Sequence, residues 1–439
     1  MPILQPEVEQ LPAAELQRLQ AARLRDTVAR ASAVPFYRDA LARSGVRADD
    51  IRDPADVHRL PFTVKSDLRD QYPFGLLAVS MAEVVRIHAS SGTKGKPTVV
   101  AYTRHDLDMW AEICARAVAT AGGRAGDVFH CAYGYGLFTG GLGMHYGAER
   151  LGCAVVPASG GNTARQVLLI ADFRPRGLAC TPSYALTLAD AIEESGSEPR
   201  ASSIEYGIFG AEPWSQSMRV RLEERLGLRA LDIYGLSEVM GPGVSIECAE
   251  AQDGLHIAED HFLVEVVDPQ TLQPLPHGEP GELVFTSLTK EAFPVIRYRT
   301  GDLAHLYPDP CRCGRTHVRM SRVKARLDDM LVVRGVNVFP SEIELLVLGV
   351  PEVAPHYRLI VDRERTLDTV TVEIELAPAF AAAHPGAAAP ATTQLAGRVA
   401  SRLRSQLGIS VAVVLQPPGT LPRFEGKAAR VVDRRSDSA

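Results

Sequence analysis

The sequence predicts an α/β protein: a large N-terminal domain of layered sheets flanked by helices, with a β-rich subdomain, then a small α+β domain at the C-terminal end. Three observations predict it. Helical and strand-like segments alternate between about residues 105 and 235, the pattern of parallel strands joined by crossover helices. From about 255 to 305 the pattern becomes strands and turns. After residue 326 the order is αββαβ, enough for a unit of its own. The expected domains are 1–326 and 327–439.

Each element follows from local pattern. Residues 14–45 predict helix, with Leu16, Leu19, Ala22 and Leu24 near one face and a break around Pro35. Val84–Ile87 and Val99–Tyr102 predict strands. Ile204–Phe209, a loop at Gly210–Pro213, a helix capped by Ser215 and running through Leu226, and Ala230–Tyr234 form a β-loop-α-β unit, hence a parallel sheet. Ligands of such sheets sit beyond the carboxyl ends of the strands, which here are Gly210–Pro213 and Gly235–Gly241. His261–Val267, Gly281–Thr286 and Val295–Arg299 predict the β-rich part. Then come a strand at Met330–Val333, a helix over Glu342–Leu348 capped by Ser341, and strands at His356–Val361 and Thr369–Leu376. An Ala/Pro surface loop over Ala377–Ala391, a helix over Thr393–Leu407 and a strand at Val411–Leu415 close the unit.

Composition narrows the function classes. The 439 residues are 46% hydrophobic and 23% charged, with a formal net charge of −6, which argues against nucleic acid or a membrane surface as the main partner. No apolar run approaches the ~18–20 residues that span a bilayer. The N-terminal stretch has no cationic segment ahead of an apolar one, so no signal peptide is expected. The seven cysteines, an odd number lying mostly in apolar runs, fit a reducing cytoplasm.

Five stretches carry unusual chemistry. In 88-HASSGTKGKPTVVAYTRHD-106 a run of glycines, hydroxyls and lysines lies between two strands. Such a run can fold into a concave nest of N–H, hydroxyl and ammonium donors that suits phosphate, although it lacks the Walker spacing. The others are 233-IYGLSEVMGPG-243, 297-RYRTGDLA-304 with Asp302 in an expected turn, 326-RLDDMLVVRGVNVFPSEIE-344, and 422-PRFEGKAARVVD-433 with Lys427 just after a glycine. Singly, each also reads as a turn, a strand end or a charged face.

Together and in this order they resemble the adenylate-forming enzyme superfamily, and more closely the phenylacetate–CoA ligases. The resemblance runs nearly end to end and includes 61-PFTVKSDLRDQYPFGL-76, 132-AYGYGLFTGGLG-143, 210-GAEPW-214, 234-YGLSEVMGPGV-244 and 335-GVNVFPSEIE-344. It implies a large N-terminal domain and a small mobile C-terminal one. It also implies a reaction. An aryl acid carboxylate attacks the α-phosphorus of ATP and pyrophosphate leaves; the thiol of CoA then attacks the acyl-adenylate and AMP leaves. On this resemblance Ser90, Ser91, Gly92, Thr93, Gly95 and Lys96 cradle the phosphates, and Glu238 is the Mg²⁺ ligand. Gly210, Ala211, Glu212, Pro213, Asp232, Tyr234, Gly235 and Ser237 build the AMP site. Asp302 accepts from the ribose hydroxyls, and Arg326 adds a ribose or phosphate contact. Ser237 stands where many members have Thr, and the hydroxyl survives. Lys427 reaches the carboxylate and the α-phosphate, Asp328 is the hinge, and Gly335, Val336 and Asn337 face CoA.

The acid pocket is expected along 132-AYGYGLFTGGLGMHYG-147, with Tyr135 and Phe138 as an aromatic wall and Gly141, Gly235 and Met144 beside it. Glycines there are expected to make room for a flat ring. Cys131 stands where Asn is expected and Met144 where a small residue is, so a shorter acid such as a benzoate is favoured over an arylacetate. Cys248, His256, Cys311 and Cys313, from 247-ECAEAQDGLHI-257 and 310-PCRCGRTH-317, would complete a structural Zn²⁺ site, with buried thiols as the plain alternative. Two further functions stay open at this point: loading an aryl acid onto a separate carrier-protein thiol, and an inactive nucleotide-binding regulator, against which Glu238, Asp302 and Lys427 argue. The expected partners are the aryl acid, ATP and CoA, within a cytoplasmic homodimer.

Overall fold

The computed structural model describes residues 3–90, 97–307, 309–334, 336–364, 367–386, 389–424 and 430–435. The chain divides into two compact units, one of residues 1–180, 201–211 and 227–323, the other of 181–200, 212–226 and 324–439. This grouping differs from a single cut at 326 in joining two helical segments to the C-terminal part.

The first unit is built on an eight-stranded sheet. From one edge to the other its strands are Arg319–Met320, Leu255–Ile257, Gly241–Glu247, Arg229–Leu236, Tyr206–Gly210, Gly177–Cys180, Val128–Cys131 and Ala154–Val156. The five from Arg229–Leu236 onward pair in parallel, as the β-loop-α-β pattern requires. Gly177–Cys180 and Tyr206–Gly210 are buried throughout. The other three strands are antiparallel. The sheet is therefore mixed, and the expected open loop at Gly235–Gly241 shrinks to a four-residue turn. Glycine permits that reversal: a Cβ on Gly235 would lie 1.9 Å from the Gly241 carbonyl oxygen.

A second, antiparallel set comprises Phe262–Val267, Gly281–Ser287 and Tyr298–Ala304. The third strand lies later than the expected Val295–Arg299 and runs through Asp302. The opening helix breaks as expected, into Ala13–Ala31 and Pro35–Ser44. The phosphate-loop flanks form a hairpin, Arg86–Ala89 with Val99–Tyr102, the first strand two residues later than expected.

The second unit carries a four-stranded sheet ordered Ala412–Gln416, Leu367–Leu376, Val353–Glu364, Val431–Asp433, an antiparallel hairpin with one parallel strand on each side. Its helices include Pro182–Glu194, Gln216–Leu226, Pro340–Leu348 and Pro390–Leu407. Ser215 Oγ accepts from Met218 N at 3.2 Å, as a cap should. Ser341 does not cap: its hydroxyl donates to Lys324 O at 2.6 Å, and the helix starts two residues earlier than expected, at Pro340, whose fixed φ suits a first turn. The Ala/Pro stretch is not all loop, because Pro378–Ala383 is helical and the next helix begins at Pro390. The Arg221 guanidinium donates to the carbonyls of Leu348, Val350 and Val353, satisfying groups at a helix C-terminus.

Candidate active site and a cysteine–histidine cluster

In the first unit, two strand ends meet the expectation of a site beyond a parallel sheet. At the first, Gly210 approaches so closely that a Cβ would lie 2.3 Å from Ile233 O. Ala211 follows at φ +68°, a left-handed conformation that costs a residue with a Cβ and clusters at functional sites. At the second, Tyr234 OH donates to Asp302 Oδ2 at 2.7 Å, and its ring lies 6.0 Å from that of Phe285. Two motifs 68 residues apart are thus joined by one hydrogen bond.

Asp302 sits on a bulge in its strand rather than in the expected turn. Arg299 pairs with Val284 and Leu303 with Glu282, so Thr300, Gly301 and Asp302 oppose Leu283 alone. Gly301 takes φ +75°, and Glu282 accepts from its N–H at 3.0 Å. Thr300 Oγ1 donates to Leu283 O at 2.9 Å and accepts from Asp302 N at 3.0 Å. The turn-like composition of Thr-Gly-Asp is real; the sheet absorbs it.

The turn after Leu236 carries Ser237 and Glu238. Ser237 Oγ lies 3.0 Å from Thr139 Oγ1, and both residues are buried, with Glu238 9% exposed. Asp232 is two strand positions earlier than Tyr234, on the same face; its Oδ2 lies 3.7 Å from Arg322 Nε, and Arg322 also approaches Glu247 at 3.6 Å. At the phosphate hairpin, Ser90 N donates to Thr98 O at 2.9 Å and Thr98 N to Ser90 Oγ at 3.2 Å. Ser91, Gly92, Thr93, Gly95 and Lys96 lie outside the described residues, as do Gly335 and Lys427.

The acid-pocket segment is polar at one end and tightly packed at the other. Tyr135 OH lies 3.1 Å from His145 Nδ1, and His145 Nε2 lies 3.1 Å from Glu149. Burial, then Cys131, pushes the Tyr135 hydroxyl well up, so it stays a neutral donor. Phe138 is 45% exposed. The glycines serve a different purpose from the one expected. A Cβ on Gly143 would meet Trp110 Cζ2 at 2.6 Å, and one on Gly147 would meet Cys114 Cβ at 2.2 Å. A Cβ on Gly141 would meet Gly134 O at 2.5 Å. Gly143 and Gly147 let helix Gly140–Leu151 press against helix Arg104–Thr120, and Gly141 lets it press against the backbone at Gly134. Met144 is fully buried in the core with Phe129, Cys131 and Ala148. That packing accounts for the methionine without a substrate, and the preference for a shorter acid loses its support.

In the second unit, Ser183 N donates to Glu212 Oε1 at 2.9 Å, with a second contact from the Ser183 hydroxyl. Arg430 Nη2 donates to Ser183 Oγ at 2.7 Å, Arg430 Nη1 contacts Glu344, and the guanidinium lies 4.6 Å from the Tyr357 ring centre. Arg423 clamps Glu375 in a bidentate pair at 2.8 and 2.9 Å. Pro213 lies in the same unit. Arg326 is half-buried at the start of the turn Leu327–Asp329, which includes Asp328. Val336 and Asn337 lie on the strand Val336–Val338.

The four predicted zinc ligands come together in the first unit. Their ligand atoms all lie within 4.8 Å of one another. Cys248 Sγ is 3.7 Å from Cys311 Sγ, and Cys313 Sγ is 3.3 Å from His256 Nε2. Tetrahedral zinc, with Zn–S of about 2.3 Å and Zn–N of about 2.0–2.1 Å, requires separations of roughly 3.8 and 3.6 Å. His256 Nδ1 lies 3.3 Å from His317 O, which accepts its proton and leaves Nε2 toward the thiols. Burial lowers His256, but Cys311 and Cys313 outweigh it and lift the imidazole to about 9. The donor set fits a closed structural site.

Sequence reasoning passed over four side chains near these groups: Thr139, His145, Lys290 and Arg322. Thr139 and His145 fall within quoted motifs, and Lys290 lies in 283-LVFTSLTKEAFPVI-296, where it reads as an ordinary cation beside Thr289 and Glu291. Nothing local marks Arg322.

Known proteins agree with this architecture. Residues 20–289 match the AMP-binding enzyme family and residues 335–435 the AMP-binding enzyme C-terminal domain. The chain is 52% identical to a phenylacetate-coenzyme A ligase of Thermus thermophilus, covering 98% of this chain and 99% of that protein. It is 52% identical to the Escherichia coli protein of the same name over 96% and 95%. Among solved structures, 2-hydroxyisobutyryl-CoA ligase in the postadenylation state superimposes with a TM-score of 0.91 at 29% identity, covering 98% of this chain and 92% of that one. The same ligase with 2-HIB-AMP and CoA in its thioesterification state gives 0.72 at 30% identity, over the same shares. The chain belongs to the AMP-binding enzyme family, in its adenylate-forming ligase fold, within the phenylacetate–CoA ligase branch. Among the described residues no helix is long and apolar enough to cross a membrane.

Proposed function

We propose that this AMP-forming, ATP-dependent aryl acid–CoA ligase takes phenylacetate as its acid, ahead of benzoate and aminobenzoates. What supports the choice of acid is the near full-length identity with ligases of that name, together with the loss of the Met144 argument for a shorter one. The observation that carries the residue roles is the hydrogen bond from Tyr234 to Asp302, which ties the strand leading to Glu238 to a bulged carboxylate.

In the first half-reaction one acid oxygen bonds to the α-phosphorus of ATP as the bond to pyrophosphate breaks. Catalysis here is positioning and charge neutralisation. Asp302 accepts from the ribose hydroxyls, with Tyr234 fixing one of its oxygens. Gly210, Ala211, Glu212, Pro213, Asp232, Gly235 and Ser237 form the nucleotide walls, and Arg326 adds a contact. Glu238 would hold Mg²⁺, which supplies neutralisation of the phosphate oxygens. Ser90 through Lys96 cradle the phosphates, and Lys427 neutralises the meeting of two anions. In the second half-reaction the CoA sulfur bonds to the acyl carbon and AMP leaves, with Gly335, Val336 and Asn337 facing CoA. A rotation of 327–439 about Asp328 between the steps is part of the reading, in line with the two named states of 2-hydroxyisobutyryl-CoA ligase. Cys248, His256, Cys311 and Cys313 would hold a structural Zn²⁺. A cytoplasmic homodimer completes the proposal.

The test is pyrophosphate release measured over phenylacetate, benzoate, hydroxybenzoates and aminobenzoates, with CoA thioester as the second readout. Phenylacetate should give the highest kcat/KM. A benzoate preferred tenfold or more would overturn the assignment of the acid, and pyrophosphate release without thioester would favour a carrier-protein acceptor.

A further inference from the structure

Lys290 is a lysine with no exposed surface. Among the described residues its ammonium makes one hydrogen bond, to Val239 O at 3.3 Å, and forms no ion pair with a carboxylate. It lies 4.7 Å from the ring centre of Tyr102 and 5.9 Å from that of Phe293. Burial pushes it down to about 8, while Asp106 and Glu238 act through space to hold it up. A methionine would fill this volume without the cost of desolvating a charge. The lysine therefore needs a reason.

The reason lies in what it touches. Val239 follows Glu238 on the four-residue turn between the strands Arg229–Leu236 and Gly241–Glu247. Two successive carbonyls of that turn are each held by a side chain. Tyr102 OH donates to Met240 O at 2.5 Å, and Lys290 to Val239 O. The chain around Lys290 is itself fixed. Asp106 accepts from Glu291 N at 2.7 Å and Ala292 N at 3.0 Å, and Thr289 Oγ1 lies 2.9 Å from His261 Nδ1. Thr103 donates to Glu291 at 2.9 Å, and Arg30 donates to Lys290 O at 3.3 Å.

We propose that Lys290 is a positioning residue for Glu238: its ammonium, sealed in the core, holds the Val239 carbonyl and so fixes the turn that carries the Glu238 carboxylate. The inference rests on the reading of Glu238 as the Mg²⁺ ligand. A carboxylate carried on a loose turn meets a metal less often in the right place; one on a turn pinned at two carbonyls is preorganised.

The experiment measures ATP affinity over a series of Mg²⁺ concentrations, then pyrophosphate release, for wild type, Lys290→Met, Lys290→Gln and Glu238→Gln. In Lys290→Met the Mg²⁺ needed for half-maximal ATP binding should rise roughly tenfold, with the KM for the acid unchanged and Tm not lowered. Lys290→Gln keeps an N–H donor and should recover most of the loss. Wild-type Mg²⁺ dependence in Lys290→Met, an equal loss in Lys290→Gln, or a Lys290→Met chain that does not fold would each overturn the proposal. If Glu238→Gln leaves the Mg²⁺ dependence unchanged, the reading of Glu238 itself fails and takes the proposal with it; if only Lys290→Met does, the reading stands and the proposal falls.

Discussion

Lys290 in one unit and Arg430 in the other are both sequestered cations, and their surroundings are opposite. Arg430, its side chain 13% exposed, meets the Glu344 carboxylate, the Ser183 hydroxyl and the Tyr357 ring; Glu344 also accepts from Tyr357 OH at 2.6 Å. Lys290, with no exposure, meets a carbonyl and two ring faces. A buried charge with its counter-charge holds structure, because removing either partner strands the other. A buried charge without one weakens the fold and persists where it serves a site. The same contrast extends to the cysteine–histidine cluster, where a zinc ion would be the cation and thiolates its anions.

That comparison can be broken at four points, taken from the largest expected effect downward. The zinc cluster comes first. Purified protein should carry about one zinc per chain by elemental analysis, and Cys311→Ser should lower Tm by roughly 10 °C or more, since structural zinc sites hold about 10 kcal/mol of binding free energy. Metal-free protein of unchanged Tm would return the cluster to plain thiols.

Arg430→Met should cost about 3–5 kcal/mol in chemical denaturation, because it leaves the Glu344 carboxylate buried without its counter-charge, with Tyr357 OH still donating to it. The double variant Arg430→Met, Glu344→Met should regain most of that loss. A double variant as unstable as the single one would show that the pair is not what Arg430 contributes.

Lys427→Ala tests a cation read as catalytic. Acyl-AMP formation should fall about 10²–10³-fold, equivalent to roughly 3–4 kcal/mol of transition-state stabilisation. Conversion of supplied acyl-adenylate and CoA to thioester should stay near wild type, because the carboxylate charge is gone in that step. A normal pyrophosphate-release rate in this variant would remove the assignment.

The smallest effect is a pH slope. Lys290 sits at about 8 in the folded chain against about 10.4 unfolded. Below pH 8 both states carry the proton and folding bears the whole cost of burying it. Between pH 8 and about 10.4 the unfolded state binds more protons, so stability rises with pH, by up to about 3 kcal/mol. Urea denaturation of wild type minus Lys290→Met over that window should show the rise, and a flat difference would mean that the ammonium is not sealed from water.

The sequence made the motifs and their order legible, because each rests on residue types with few other uses: a glycine where two backbone segments touch, as at Gly210 and Gly235, or a thiol beside a thiol. It misjudged features whose cause lies far along the chain. Ser341 has the chemistry of a cap, but Lys324 O claims its hydroxyl. Gly143 and Gly147 look like pocket space, and only the facing Trp110 and Cys114 show that they are a helix contact. Lys290 was invisible as a site, since a single lysine between Thr289 and Glu291 says nothing about which carbonyl it will reach.

The bulge at Thr300–Asp302 also limits how this part of the chain can evolve. Three residues face one, a surplus of two, so Arg299 and Leu303 stay on the same side of the sheet as Val284 and Glu282. Because side chains alternate along a strand, deleting one residue from the pouch would send the flanking core residues Tyr298 and Ala304 to opposite faces. Deleting two would keep the sheet in phase and remove the pouch that carries Asp302. Length variation among descendants of this sequence should therefore come here in even steps, and an even loss would leave a sound sheet with no carboxylate at the bulge.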